Sequence, residues 1–393
     1  MHCTSSFVVK KSNASITTAF FIIFLLGGAL QIIGLASPTT CNIIALIFLL
    51  MFCALCKKSF TSDEAVLLSP CILILIAGTL NKSSISAIAV YVYYFLCLLI
   101  SFVSAKALTR SAFFNGDRSW RLIICFLAFQ LFVVSIQVTF ADTLAAISKT
   151  PLIPLDVASG TFYLKSDATL SFFGIFALVA SFSLKIRERY WILILSLAIC
   201  FTTNSKVSQG AALITVLMLV PRDIFMSHRL FRRISILFIP TVLFFLIAIF
   251  YRDIISQIEY FTDHLYNAYW TRNDYEEANR LAALGDAIFG DSNFFGYGLL
   301  TYYNPLNKSW IYYSGFSLVY SLYFDTGVIG LLVFFTCFFV FTKRSVGSTY
   351  LSAIYFILFF MFSLVNFSIS DIAILITYGV FINLSGRRHL AYA

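Results

Sequence analysis

The residues with the most chemical promise are four isolated cations, Lys206, Arg252, Arg272 and Arg280, set at the ends of apolar runs or in a long mixed stretch late in the chain. A guanidinium presents paired donors in a fixed fork that matches phosphate oxygens, and a cation beside a departing diphosphate stabilises the charge developing there. Taken singly, each is read equally well as a partner for Asp274, Glu276, Glu277 or a lipid headgroup, because exposed ion pairs are common and weak. As a set they point to an anionic ligand. Arg280 leads, because it opens a stretch running through Phe289, Gly290 and Asp291 to Gly296, Tyr297 and Gly298. Glycine lets a backbone approach a bulky ligand closely.

Asp286, Asp291 and Asp325 follow Arg280 in the chain. Each can serve as a general base toward a sugar hydroxyl, and each can as easily cap a helix or pair with Arg280. Tyr297, Tyr302, Tyr303, Tyr312, Tyr313 and Tyr320 can stack on sugars and donate hydroxyl hydrogen bonds, although an aromatic belt at a membrane interface is the commoner use of such residues. Other chemistries lack their patterns. There is no HExxH, P-loop or GxSxG sequence. His264 is the one His of four that falls in the late stretch, so a multi-His metal site is not expected there. Cys53 and Cys56 have CxxC spacing but end an apolar run with no second pair. With the other Cys they read as small buried residues rather than ligands or disulfides.

What must position these groups is a membrane bundle. The chain is 60% apolar and 11% charged, with 44 Phe in 393 residues, far from the balance of a soluble domain. Apolar stretches of bilayer-spanning length recur from Thr17 almost to the C-terminus, which predicts one all-α polytopic membrane domain over 1–393. About twelve spans are expected, at 17–36, 40–56, 65–80, 85–105, 121–141, 169–184, 190–204, 207–221, 234–250, 326–342, 349–368 and 371–385. The first stretch has no small-residue cleavage site after it and reads as a retained span. With the N-terminus inside, nineteen of the 27 Lys and Arg fall on the cytoplasmic side, which orients both termini inward. The net charge of +9 therefore encodes topology; the basic residues are scattered between spans, without the single basic face that nucleic acid would need.

This threading leaves two long external segments, at about 141–169 and 251–315, and the second carries the cations. Its mixture of charged and aromatic residues predicts short amphipathic helices at the interface. From Gly315 to Thr342 the sequence is helix-compatible throughout. Such a helix would reach about 42 Å against a hydrocarbon core of about 30 Å. A break is expected at Asp325-Thr326-Gly327, after a short helix over Phe316 to Phe324, which keeps Asp325 away from the bilayer centre.

The arrangement resembles the Wzy-type O-antigen polymerases and the related O-antigen ligases, which have many spans and one large late periplasmic loop. Two places carry the likeness. Thr203-Asn204-Ser205-Lys206 before an apolar helix is similar to that family's Thr-x-Ser-Arg turn. Arg280, Gly296-Tyr297-Gly298 and Asp325-Thr326-Gly327-Val328-Ile329-Gly330 are similar to its Arg, Gly-x-Gly and acidic-x-Gly-x-x-Gly series. Lys206 replaces a common Arg, and Phe316-Ser317 stands where the ligases have His-Asn, which favours polymerase over ligase.

The resemblance implies a bacterial inner-membrane glycosyltransferase that moves a growing glycan from undecaprenyl diphosphate onto an incoming lipid-linked repeat unit at the periplasmic face. In that picture Arg280 with Lys206, Arg252 or Arg272 would hold the diphosphate, with Gly296, Tyr297, Gly298 and Tyr313 around it. Asp286, Asp291 or Asp325 would take the acceptor proton, and neither metal nor another cofactor would be needed. Membrane lipid and both glycan lipids are the expected partners, with room for a chain-length regulator and none for nucleic acid. A lipid-linked oligosaccharide flippase or other transporter remains open beside it, as does a ligase. Transporters commonly have similar halves and ionisable groups at mid-membrane depth, and neither is evident in the sequence.

Overall fold

In a computed structural model the described residues are 24, 26–55, 62–109, 117–147, 158–163, 167–225, 259, 262–263, 294–300, 302–304, 309–311 and 317–390. Residues 26–32 are helical. Among the described residues eleven α-helices follow: α1 (Pro38–Leu55), α2 (Ser62–Leu80), α3 (Ile85–Thr109), α4 (Asp117–Thr139), α5 (Ala141–Ile147), α6 (Asp167–Ser183), α7 (Arg189–Thr202), α8 (Lys206–Phe225), α9 (Leu318–Val346), α10 (Thr349–Val365) and α11 (Ile372–Leu390). One short antiparallel hairpin, Tyr302–Asn304 with Ser309–Ile311, pairs Tyr303 with Trp310 in the late segment. It stands where the sequence pattern predicted only helices. Aromatic and β-branched residues on both sides of a Pro- and Asn-containing stretch account for it locally.

The protein is a helical membrane protein. Ser62–Leu80, Ile85–Thr109, Ser119–Thr139 and Leu318–Val346 are long and apolar enough to cross a bilayer. Shorter apolar helices stand at the other expected positions that the described residues cover, from Pro38–Ala54 to Ile372–Gly386. Arg189–Thr202, with 14 residues, would extend only about 21 Å. Of the expected spans, 234–250 and the first part of 17–36, through residue 23, lie outside the described residues.

The bundle is built around α3, which packs on α1, α2 and α11, while α9 packs on α2, α10 and α11, and α6 packs on α7, α8 and α11. Its centre is aromatic. The rings of Phe338 and Phe359 stack at 4.1 Å, and Phe102, Phe176, Tyr355 and Tyr378 surround them. The buried Tyr hydroxyls are satisfied: Tyr378 pairs with Thr342 at 2.7 Å and Tyr355 with Ser385 at 2.9 Å. That pairing is what apolar surroundings demand of a phenol. Gly379 lets α11 approach α3, since a Cβ there would come within 2.7 Å of the Ala105 Cβ.

Turns and helix starts collect at two ends of the bundle. One end carries hydroxyl and carboxylate caps: Ser37 accepts from the Thr40 N–H, Ser84 from Ala87, Ser317 from Tyr320 and Asp371 from Ile374. The other end is basic. There Lys106 bridges Asp63 (3.1 Å) and the buried Glu64 (3.2 Å), and Arg344 donates to the Ser62 carbonyl at 3.3 Å, tying α2 to α3 and α9.

Candidate functional site

Helix α9 is interrupted where its length required. Ser317 caps its first turn, and the helix proceeds to Gly327, whose φ of 71° and ψ of −173° are not helical. Only glycine adopts that conformation readily. The break falls one residue past Asp325-Thr326, as the sequence pattern predicts, and the helix resumes to Val346.

In an uninterrupted helix the carbonyls of Phe324 and Asp325 would accept from Val328 and Ile329. The break releases these groups, and inside a bilayer they need other partners. A glycine-bearing segment supplies them. The Tyr297 N–H donates to the Phe324 carbonyl at 2.7 Å, Gly298 donates to that of Asp325 at 3.2 Å, and Ile329 donates to the Phe294 carbonyl at 3.4 Å. The fit is reciprocal. A Cβ on Gly296 would run into the Asp325 backbone, and one on Gly327 into that of Phe294. The close approach expected of Gly296 toward a ligand is thus, in the fold, an approach to α9.

The turn between α2 and α3 holds this segment from its other side. The Asn81 side chain donates to the Phe295 carbonyl at 3.1 Å, and the Leu299 N–H donates to the Ser83 hydroxyl at 2.7 Å. Gly78 leaves space for the Leu299 side chain. Residues 294–300 thus form a strap across the start of α3 and the break of α9.

Asp325 is 3% exposed beneath the strap and accepts a hydrogen bond from the hydroxyl of Tyr91, a fully buried residue of α3. Asp325 lies seven residues into α9 and Tyr91 six into α3, about 10 Å and 9 Å from the helix starts. For helices of 29 and 25 residues this is near the capped end and well short of the middle. Tyr91 was not among the residues singled out in the sequence. Its signal was the Tyr91-Val92-Tyr93-Tyr94 turn, where three phenols interrupt an apolar run.

Lys206 opens α8 at the same end, on a separate turn. It is exposed, and its ammonium donates to the Asn204 side chain at 3.1 Å. Asn204 has a φ of 57°, and the neighbouring Thr203 hydroxyl pairs with Ser171 of α6 at 3.0 Å. The Thr-Asn-Ser-Lys turn is therefore fixed on α6. Arg252, Arg272, Arg280, Asp286, Asp291 and Tyr313 lie outside the described residues, as do the expected interfacial helices beyond residues 259 and 262–263. Of the candidate residues, the structure brings together Gly296, Tyr297, Gly298 and Asp325.

A second buried carboxylate went unnoticed in the sequence. Asp371, between α10 and α11, is 7% exposed, accepts from the Thr169 hydroxyl at 3.1 Å, and caps α11 through the Ile374 N–H at 3.1 Å. Nearby, residues 158–163 form buried non-helical backbone. Gln137 receives the Gly160 N–H at 2.7 Å, Gln130 receives that of Thr161 at 2.9 Å, and Gln31 donates to the Tyr163 carbonyl at 2.8 Å. Among the described residues no three His, Cys, Asp or Glu side chains come together as metal ligands. Cys53 instead pairs with Ser104 at 3.1 Å.

No model of a known protein family matches this chain, and no curated protein matches it. The geometry itself shows a membrane-embedded helical protein with a broken helix, a carboxylate at the break, and a glycine strap over both.

Proposed function

We propose that this chain is a bacterial inner-membrane polymerase of lipid-linked polysaccharide repeat units, with about twelve spans, both termini cytoplasmic, and its capped end facing the periplasm. The observation that carries this reading is the strap. Residues 294–300 directly follow the segment bearing Arg252, Arg272 and Arg280, and they lie on the break of α9 beside Asp325. A diphosphate-binding set of cations and a carboxylate able to receive a hydroxyl proton thus belong to adjoining stretches of chain. In the reaction the acceptor hydroxyl attacks the anomeric carbon of the growing glycan. The bond from that carbon to the diphosphate breaks, and the diphosphate leaves with the bonding electrons. Cations stabilise this leaving group, and a carboxylate takes the proton.

The test replaces Arg280 with Ala in a host lacking this gene, with membrane insertion checked and lipopolysaccharide run on a gel. A multi-band ladder that collapses to a single-repeat band supports the reading with Arg280 at the site. An unchanged ladder removes Arg280 from it.

A helix broken beside a buried carboxylate is also a feature of transporters that bind substrate at discontinuous helices, which keeps a lipid-linked oligosaccharide flippase as the second reading. The position of Asp325 near one end, away from the middle of α9, favours the first. If the intact protein restores only single-repeat material, transport replaces polymerisation. If polymer forms but stays on its lipid when this gene is absent, the chain is a ligase.

A further inference from the structure

The outer turn of α3 sends its tyrosines to different neighbours. Tyr91 is fully buried and donates to Asp325. Tyr94, one helical turn on and half-buried, lies edge-on to Tyr91 at 5.7 Å. Its ring also rests against Phe367 of the α10–α11 connection at 4.8 Å and beside the half-buried Tyr93 at 5.7 Å. Phe367 is buried, so Tyr94 is backed by protein on two sides. A tyrosine of an interfacial belt serves by reaching the water boundary from lipid. Tyr91 cannot serve that way, and Tyr94 is held one ring away from the carboxylate.

A backed, partly exposed aromatic ring one phenol away from a carboxylate is what a sugar needs. Pyranose C–H faces pack on aromatic rings, while a phenol and a carboxylate take the hydroxyls. From these contacts, and resting on the polymerase reading, we infer that the Tyr91–Tyr94 turn of α3 is the acceptor-sugar subsite. Tyr94 stacks on the terminal sugar of the incoming repeat unit. Tyr91 is a positioning residue that holds Asp325 by one oxygen while the carboxylate receives the proton of the attacking hydroxyl. The new glycosidic C–O bond forms as the C–O bond to the diphosphate breaks, so charge and atoms balance within the three groups.

The experiment uses the full chain in lipid nanodiscs, with polymer-bearing lipid as saturating donor. The repeat-unit diphosphate lipid, extracted from the source strain deleted for this gene, is the varied acceptor. Tyr94→Ala should raise the acceptor KM about tenfold with kcat nearly unchanged, and Tyr94→Phe should restore it, since a lost stacking contact is worth on the order of one decade. Asp325→Asn should lower kcat about a hundredfold. Tyr91→Phe should lower kcat about tenfold with KM unchanged, and should add no further loss in the Asp325→Asn background.

Melting temperatures in detergent are measured alongside, and they should stay within a few degrees of the intact protein. An unchanged KM for Tyr94→Ala, failure of Tyr94→Phe to rescue, or additive losses for Tyr91 and Asp325 each overturn the subsite, as does a loss that follows melting temperature. If the intact protein itself does not lengthen the glycan, the polymerase reading has failed and the subsite falls with it. If it does and the variants match it, only the subsite has failed.

Discussion

Asp371 shows what a single buried carboxylate does to a membrane bundle. It caps α11 through the Ile374 N–H and accepts from the Thr169 hydroxyl of α6, so one side chain joins two helices. Asp371→Asn keeps an acceptor oxygen for both, whereas Asp371→Ala leaves the N–H and the hydroxyl unpaired and should lower stability by about 1 to 3 kcal/mol. Thermal melts of the detergent-purified protein check this, and equal melting of the two variants would remove the group from the balance. The sequence concealed Asp371 because it abuts an apolar run and reads as the first residue of a span, and hid Tyr91 because its acid partner lies 234 positions away.

At the level of elements, the strap and the broken helix require glycine at two points for the same reason. Gly296 and Gly327 have φ of 81° and 71°, and each faces the other segment's backbone. Gly327→Ala or Gly296→Ala should destabilise the fold by about 2 to 4 kcal/mol, through left-handed strain and a clash that backbone cannot relieve. Gly210 of α8 provides the contrast: among the described residues an added Cβ there would meet the Met361 side chain at an ordinary 3.7 Å. Gly210→Ala should be neutral or stabilising by up to about 1 kcal/mol. Thermal melts that rank the three variants alike would contradict this. The break itself was legible, because an apolar run of that length cannot be one straight span and Asp325-Thr326-Gly327 is its weak point. The strap was not. Its partners on the α2–α3 turn, Asn81 and Ser83, are polar residues in a short turn of unremarkable composition.

For the whole molecule, composition and hydropathy gave the class and the positions of the described helices, since hydrocarbon leaves a chain few ways to satisfy its backbone. The two long segments between spans were legible only as lengths, and the pairing of 302–304 with 309–311 depends on local chemistry that a hydropathy profile averages away. The charge bias predicts that the capped end, with Lys82 and Lys206, faces the periplasm, and that the basic end, with Lys106, Lys343 and Arg344, faces the cytoplasm. Both Lys82 and Lys343 are exposed. In a cysteine-free background, Lys82→Cys should react with an impermeant maleimide in intact spheroplasts, and Lys343→Cys only after lysis. The reverse pattern would invert the topology and move the strap to the cytoplasmic side.

The strap also fixes an order of assembly. Its anchors on the α2–α3 turn precede it by more than 200 residues, with 214 between Asn81 and Phe295, and the broken helix is made after both. During synthesis the α2–α3 turn precedes residues 294–300, and α9 emerges after both, against a surface able to satisfy its freed carbonyls. The discontinuity in α9 is therefore completed by chain that was translated before it, and the carbonyls freed at the break need never face lipid alone.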